Sequence, residues 1–346
     1  MTELKKNDGG IFKNPFIVVA FAVLCCALWG SATPFIKLGY SFLMPTEPKP
    51  SLQSILLFAG IRFFLAGFLT IAIYSIARRR LLYPKVSNLW RVGTQSCFQT
   101  MLQYIFFYLG LSITSGVKGT IASGSSTFFA IIIAALIFGQ EKLSFKKMGG
   151  CALGFAGIIV VNITSIEGLD FNIGDVFVII SAVANGVSAS LAKKFSKYED
   201  PVVLSGYQFL FGGAILALVG FIAGGRLDFA NVKGIGVLIY LAFLSAIAYS
   251  LWSVLLKYNH VSRVTVFSFT TPIFGVILSL IMLTSESGVN WPTLLLSLAL
   301  VSLGILLLNI RFKSERASTQ CGPSVNEAPC EAATPSADEI APRLSK

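Results

Sequence analysis

Ten runs of about twenty predominantly apolar residues follow one another along this 346-residue chain, and they leave it few folds to choose from. They lie near 15–38, 51–76, 90–111, 116–139, 147–163, 174–193, 201–223, 235–256, 264–283 and 291–310. Each can cross the roughly 30 Å of hydrocarbon in a bilayer as a helix. Lipid offers the backbone no hydrogen-bond partners, and these runs are far longer than the strands of a barrel, so helices are the reading that satisfies every peptide group. With 55% hydrophobic and 12% charged residues, the chain carries more apolar surface than a soluble globule of this length encloses. The first run follows Lys5, Lys6 and Lys13 as a secretory signal would. It continues through Trp29 and Pro34 without a small-residue cleavage site, so a retained helix is expected.

The runs also read twice. When Lys118–Glu141 is laid over Arg263–Glu286, Lys118 falls on Arg263, Thr120 on Thr265, Ser123 on Ser268 and Glu141 on Glu286, without a gap. Gly157 to Asn162 recurs as Gly304 to Asn309, Gly30 and Lys37 as Gly186 and Lys193, and Arg62, Phe63 and Gly67 as Gln208, Phe209 and Gly213. A duplicated unit of five crossings is odd in number, so the second copy enters the bilayer from the opposite side. The expected fold is therefore an all-α membrane protein of ten transmembrane helices arranged as two inverted five-helix repeats. The expected order is a cytoplasmic lead (1–14), a first repeat (15–163), an external connecting loop (164–173), a second repeat (174–311) and a disordered cytoplasmic tail (312–346).

Orientation follows from the basic residues. With the N-terminus in the cytoplasm, 21 of the 27 Lys and Arg residues fall in cytoplasmic segments, and only Lys49, Lys118, Arg226 and Lys233 in the opposite loops. Both termini are then cytoplasmic, and the cell membrane is the expected location. The net charge of +11 is spread over short loops beside anionic headgroups, which implies a lipid bilayer as partner and no nucleic acid. A homodimer is left open. None of the six cysteines shows metal-ligand spacing, so no metal or cofactor is expected.

Ten helices from a duplicated unit, Trp29-Gly30-Ser31 in the first helix, a charge seven positions after Gly30, and a Glu closing the fourth and ninth helices together resemble the drug/metabolite transporter superfamily, EamA family. The resemblance covers about residues 15–311. It implies a bundle around a central cavity that opens alternately to each side, serving export or uptake of small metabolites.

Arg62 lies near the middle of the second span among Phe58, Ile61, Phe63, Phe64 and Leu65. A guanidinium there costs roughly 2.5–3.5 kcal/mol on insertion scales. No Asp or Glu lies deep in any span, so Arg62 meets either a substrate anion or carbonyl ends and cavity water. Lys37 snorkels to the headgroups or turns into the cavity. Gln95, Gln99 and Gln103 recur at steps of four, each about 40° around a helix, and make one amide stripe. Similar stripes are Ser181, Asn185 and Ser188, and Ser245, Tyr249 and Trp252; each lines a cavity or bonds neighbouring helices. Ser123 and Ser268, matched across the repeat, belong to the pair of helices expected along the translocation axis. Pro34 and Pro272 are placed to break their helices, and Glu141 and Glu286 to act as gates or helix-end acceptors.

The substrate-binding candidates are thus Arg62, Gln99, Gln103, Asn185, Tyr249, Trp252, Lys37, Ser123 and Ser268. They suit a secondary carrier for a small polar or amphiphilic metabolite, such as an amino acid or related carboxylate, working by alternating access. A non-transporting scaffold or receptor is the alternative. A membrane-embedded lipid-linked transferase would need clustered acids or a His or Cys paired with a base, and the single histidine, His260, sits in a short loop.

Overall fold

The computed structural model describes residues 11–44, 50–164 and 172–282, with parts of 292–307. All of these belong to one compact unit, Met1–Asn309. In order, the elements are α1 (Pro15–Leu43), α2 (Leu52–Ala77), α3 (Leu89–Ser96), a π segment (Cys97–Leu102), α4 (Gln103–Ile113), α5 (Gly116–Ser123), α6 (Ser126–Leu136), α7 (Phe145–Thr164), α8 (Ile173–Phe195), α9 (Pro201–Ile222), α10 (Val232–Tyr258), α11 (Val261–Thr265), a 3-10 turn (Val266–Thr270) and α12 (Thr271–Met282). Among the described residues there is no strand. Six helices among the described residues are long and apolar enough to cross a membrane: α1, α2, α8, α9, α10 and the run Val261–Ser279. The chain is a multi-pass membrane protein.

The long helices begin where a short polar side chain takes up an N–H that the first turn leaves without a partner. Asn14 Oδ1 accepts from Phe16 N at 3.0 Å, with Pro15 next in the chain. Asp200 Oδ1 accepts from Val202 N at 2.9 Å ahead of α9, and Asn231 Oδ1 from Lys233 N at 3.1 Å ahead of α10. Asn172 and Asp175 exchange bonds of 3.1 Å as a capping box for α8.

Three expected spans are subdivided. The third carries the π segment, in which Gln103 N bonds Phe98 O, five residues back, so the turn there is wider than an α-turn. The fourth breaks between α5 and α6, where Ser125 donates both N–H (3.1 Å) and Oγ (2.7 Å) to Ala122 O and so withdraws that carbonyl from the α ladder. The corresponding part of the ninth is the 3-10 turn at Val266–Thr270, just ahead of Pro272, which has no N–H and disfavours α geometry before it. Pro34 does not end its helix: α1 runs on through it to Leu43. Glu286 and the tail lie outside the described residues.

Packing pairs the helices in a reciprocal way. α2 lies along α9, α1 lies against α10 and α12, and α8 lies against α4 and α6. At the α2–α9 crossing a Cβ on Gly67 would lie 2.4 Å from Leu210 N, and one on Gly213 would lie 2.2 Å from Phe64 N. Side chains there would drive the two backbones apart, so both positions require hydrogen. Two apolar clusters form the interior, one around Ile36, Tyr40, Phe58, Phe63, Tyr108 and Leu241, the other around Ala22, Cys25, Cys26, Leu255 and Val264. Phe16, Phe68, Ile76, Leu218, Phe221 and Val232 point outward, as a lipid-facing surface requires.

Candidate functional site

A cavity of about 100 Å³ lies between the two clusters, beside the middle of α1. Trp29, Ala32 and Thr33 form one wall; Gln99, Gln103 and Tyr104 come from the third passage, Ser181, Asn185 and Ser188 from α8, and Tyr249, Trp252 and Ser253 from α10. The remaining wall is the two broken passages. Ser123, Ser126 and Thr127 face Thr265, Ser268 and Thr271 across the breaks, and Thr127 Oγ1 donates to Thr265 O at 3.1 Å. Irregular backbone at membrane depth is tolerated where it lines such a space.

Among the described lining residues Arg62 is the single formal charge. It is 1% exposed. Its Nε donates to Leu241 O at 3.3 Å, Nη2 to Ser245 Oγ at 2.9 Å, and Nη1 to Tyr108 OH. Its Cζ stands 4.9 Å from the centre of the Phe63 ring. No carboxylate among the described residues neutralises it, so its positive field reaches the cavity with little screening in a low-dielectric interior. Direct bidentate contact with an anion needs Tyr108 or Ser245 to give way, or the N–H groups these bonds leave unused.

The aromatic wall is continuous. Trp29 packs edge-on to Trp252 with centroids 4.7 Å apart and lies 5.0 Å from the Tyr249 ring. Tyr249 and Tyr104 are hydrogen-bonded through their hydroxyls. The amide stripe is held from behind: Gln95 Nε2 donates to Gln99 Oε1 at 2.6 Å and to Ser188 O at 3.1 Å. Three lining residues, Trp29, Gln103 and Thr271, each have a buried polar atom (Nε1, Oε1 and Oγ1) with no partner among the described residues. A donor and an acceptor left unpaired in a buried space are costly unless a solute or water completes them.

Both ends of the bundle are tied. Near the C-terminal end of α1, Lys37 Nζ donates to Thr114 O at 3.3 Å, and Thr114 Oγ1 donates to the buried Asp175 Oδ1 at 2.7 Å. At the other end Lys193 Nζ donates to Asn259 O, Asn259 Nδ2 donates to Phe12 O at 2.8 Å, and Gln140 Nε2 donates to Ser190 O at 2.8 Å. There Glu141 accepts from Ser262 N at 2.8 Å and from Lys147 Nζ at 2.9 Å. Burial pushes the Glu141 carboxyl up, but these hydrogen bonds outweigh it and hold the group below the usual carboxylate value.

Of the residues singled out from sequence, Arg62, Gln99, Gln103, Asn185, Tyr249, Trp252, Ser123 and Ser268 line the cavity. Lys37 is not among the lining residues; its Nζ donates to the Thr114 carbonyl. Gln95 lies behind Gln99 rather than in the wall. Sequence reasoning passed over Tyr108, four residues after Tyr104 on the same helix face, which takes a bond from Arg62. It also used Trp29 only as part of a motif, although the indole is central to the aromatic wall.

Comparison with known proteins supplies the context. A probable amino-acid metabolite efflux pump of Salmonella typhimurium is 26% identical over 285 residues, which cover 76% of this chain and 85% of that protein. An uncharacterized transporter of Archaeoglobus fulgidus is 25% identical over 271 residues, 78% of this chain and 90% of the relative. A WAT1-related chloroplastic protein of Arabidopsis thaliana is 24% identical over 260 residues, 70% of this chain but only 60% of that relative's length. A crystal structure 18% identical to this chain superposes with a TM-score of 0.63 over 86% of this chain and 96% of the other, a likeness of fold. The model of the EamA-like transporter family matches residues 16–163 and 172–310. With both stretches matched, the chain belongs to the EamA-like transporter family, within the drug/metabolite transporter superfamily.

Proposed function

We propose that this chain is a secondary carrier that moves a small metabolite, of the amino-acid or related carboxylate kind, across the cytoplasmic membrane by alternating access. In this reading ten crossings form two inverted five-helix units, 15–163 and 174–311, around the central cavity, with both termini cytoplasmic. Reciprocal contacts support the inversion. Gly67 of α2 meets Gly206 and Leu210, and Gly213 of α9 meets Gly60 and Phe64. Gly30 meets Phe274 and Gly275, while Gly186 meets Phe129 and Ala130. These are the partners that exchange of the two units predicts.

The observation that carries the substrate class is the wall's charge and chemistry: one guanidinium, no carboxylate among the described lining residues, amides, and an aromatic face. A carboxylate is drawn by Arg62, the aromatic wall takes an apolar body or an ammonium group, and Gln103 Oε1 accepts from an N–H. Gln99, Asn185, Ser123 and Ser268 supply further polar contacts around the solute. A cavity of about 150 Å³ is needed for a molecule the size of benzene. At about 100 Å³, this one is smaller than such a molecule needs and widens to take one in. The Salmonella relative's name, an amino-acid metabolite efflux pump, points the same way.

The test is a thermal-shift screen of the purified chain against amino acids, other carboxylates, sugars, nucleobases and amines, followed by counterflow in proteoliposomes with the hits. Stabilisation and exchange by a zwitterion or carboxylate is the expected result. Exchange of cationic amines alone overturns the substrate class, and a stabilising ligand that never exchanges overturns transport in favour of a receptor.

A further inference from the structure

One bond is made twice at the two ends of the bundle. Lys37, in the last turns of α1, donates through Nζ to the Thr114 carbonyl, and Lys193, in the last turn of α8, donates through Nζ to the Asn259 carbonyl. Thr114 terminates α4 and Asn259 terminates α10, each with extended backbone at ψ 165°. Each closes its helix with its own N–H, on Gly110 O and Leu255 O. The carbonyl of such a residue lies past the last helical turn and needs an outside donor. An ammonium placed there also meets the negative end of the helix dipole.

The correspondence extends to the sequence. The alignment that sets Lys37 on Lys193 uses the first and sixth spans, and the one that sets Lys118 on Arg263 also sets Thr114 on Asn259. The two bonds are far apart: Asn259 reaches Phe12 O beside the start of α1, roughly 35 Å of helix away from Lys37. Each lysine also joins different packing groups. Lys37 bridges α1, which lies with α10 and α12, to α4, which lies with α8; Lys193 bridges α8 to the end of α10.

We propose that Lys37 and Lys193 are a matched pair of latches, each holding one mouth of the cavity shut by pinning the end of a long helix from the other packing group, and each released when its own mouth opens. The proposal rests on the alternating-access reading above. Both lysines are half-buried, so the freed ammonium reaches water or headgroups without crossing hydrocarbon. Neither touches the solute; they are positioning residues for the gates.

The test uses the full chain in membrane vesicles of both orientations, with the six native cysteines replaced and Ala182→Cys as a reporter in the cavity wall. The readout is the labelling rate by a charged, membrane-impermeant thiol reagent. Lys37→Met raises the rate about tenfold from the face where α1 ends and lowers it from the other; Lys193→Met does the reverse, the size expected for loss of one charged hydrogen bond. Lys37→Arg and Lys193→Arg, which keep a donor, label like the parent. Parent protein labelled from each face but unchanged by either Met variant overturns the latches and leaves alternating access standing. A rise from both faces at once, as loosened packing produces, also overturns them. Labelling from one face only in every variant removes the carrier reading itself.

Discussion

Arg62 and Gln208 hold exchanged places across the α2–α9 pair, and one carries a charge where the other carries an amide. Arg62 reaches from α2 to Ser245 on α10 at 2.9 Å, while Gln208 on α9 accepts at 2.5 Å from Thr100 in the π segment. Thr100 falls on Ser245 in the alignment that sets Lys118 on Arg263. Both residues are at most 1% exposed. The hydrogen-bonding frame is therefore shared between the halves, but the electrostatics are not: the positive field enters the cavity from one half only. On the proposed carrier reading, this difference between matched positions is where substrate recognition departs from scaffold.

Replacing Arg62 by Ala is expected to abolish uptake of the carboxylate substrate into proteoliposomes while the protein stays folded in the membrane. Lysine keeps the charge but not the three-way fork to Tyr108, Ser245 and Leu241, so Arg62→Lys retains part of the flux with a weaker apparent affinity. Size-exclusion profile and initial uptake rate measure the two properties separately. Flux at the parent rate in Arg62→Ala rejects the anion role.

Crossing geometry makes a second prediction. Gly213→Ala places a Cβ 2.2 Å from Phe64 N, which is backbone and has nowhere to go, so α2 and α9 must separate. Overpacking of this kind costs about 1–3 kcal/mol or more. Gly93→Ala, where no atom lies within 4 Å, is the matched control and gains about 0.5–1 kcal/mol of helix propensity instead. Melting temperatures in one detergent compare them, and equal values for both variants would contradict the close approach.

Much of this was legible in the chain before any coordinates. Arg62 stood out because a charge in an apolar span must be answered, and the polar stripes because lipid would penalise them. The π segment was not legible, because Cys97–Leu102 reads the same whether its turns are α or π; of the two readings open to the amide stripe, Gln99 and Gln103 line the cavity while Gln95 bonds a neighbouring helix at Ser188 O. The break at Gly124 and Ser125 had a signal in the run Ser123 to Ser126, but small residues serve close packing as well as interruption. For Lys37 the sequence leaves snorkelling and the cavity both open, because a lysine at a helix end has several polar destinations, and a single carbonyl 77 positions later leaves no mark in the sequence.

Glu141 gives the protein an acid-sensitive seam. Its carboxyl is held below the usual 4.5, with burial opposing and the bonds from Ser262 and Lys147 prevailing. A group with a lowered native pKa contributes stability that is fully present above its unfolded value and is lost as pH falls through the native one. Unfolding temperature measured from pH 7 down to pH 3 should therefore fall below about pH 4.5 more steeply for the parent than for Glu141→Gln, which keeps an acceptor for Ser262 N but has no proton to take up. Superimposable acid limbs for the two proteins count against the seam.

Trp29 offers the sharpest separation of a recognition role from a packing one. The indole ring is fixed by Tyr249 and Trp252, yet its Nε1–H has no partner among the described residues. Trp29→Phe retains most of the ring contacts and removes the donor. If that N–H serves only packing, the variant loses a buried, unanswered polar group, and its melting temperature holds or rises with KM unchanged. If the N–H binds the solute, the loss of one hydrogen bond weakens the apparent affinity by roughly two- to tenfold while the melting temperature without ligand still holds. The expected result is the second, seen as a raised KM in counterflow and a smaller thermal shift at a fixed ligand concentration. An unchanged KM assigns Trp29 to the wall alone and leaves Gln103 Oε1 and Thr271 Oγ1 as the buried polar atoms of the lining residues still without a partner among the described residues.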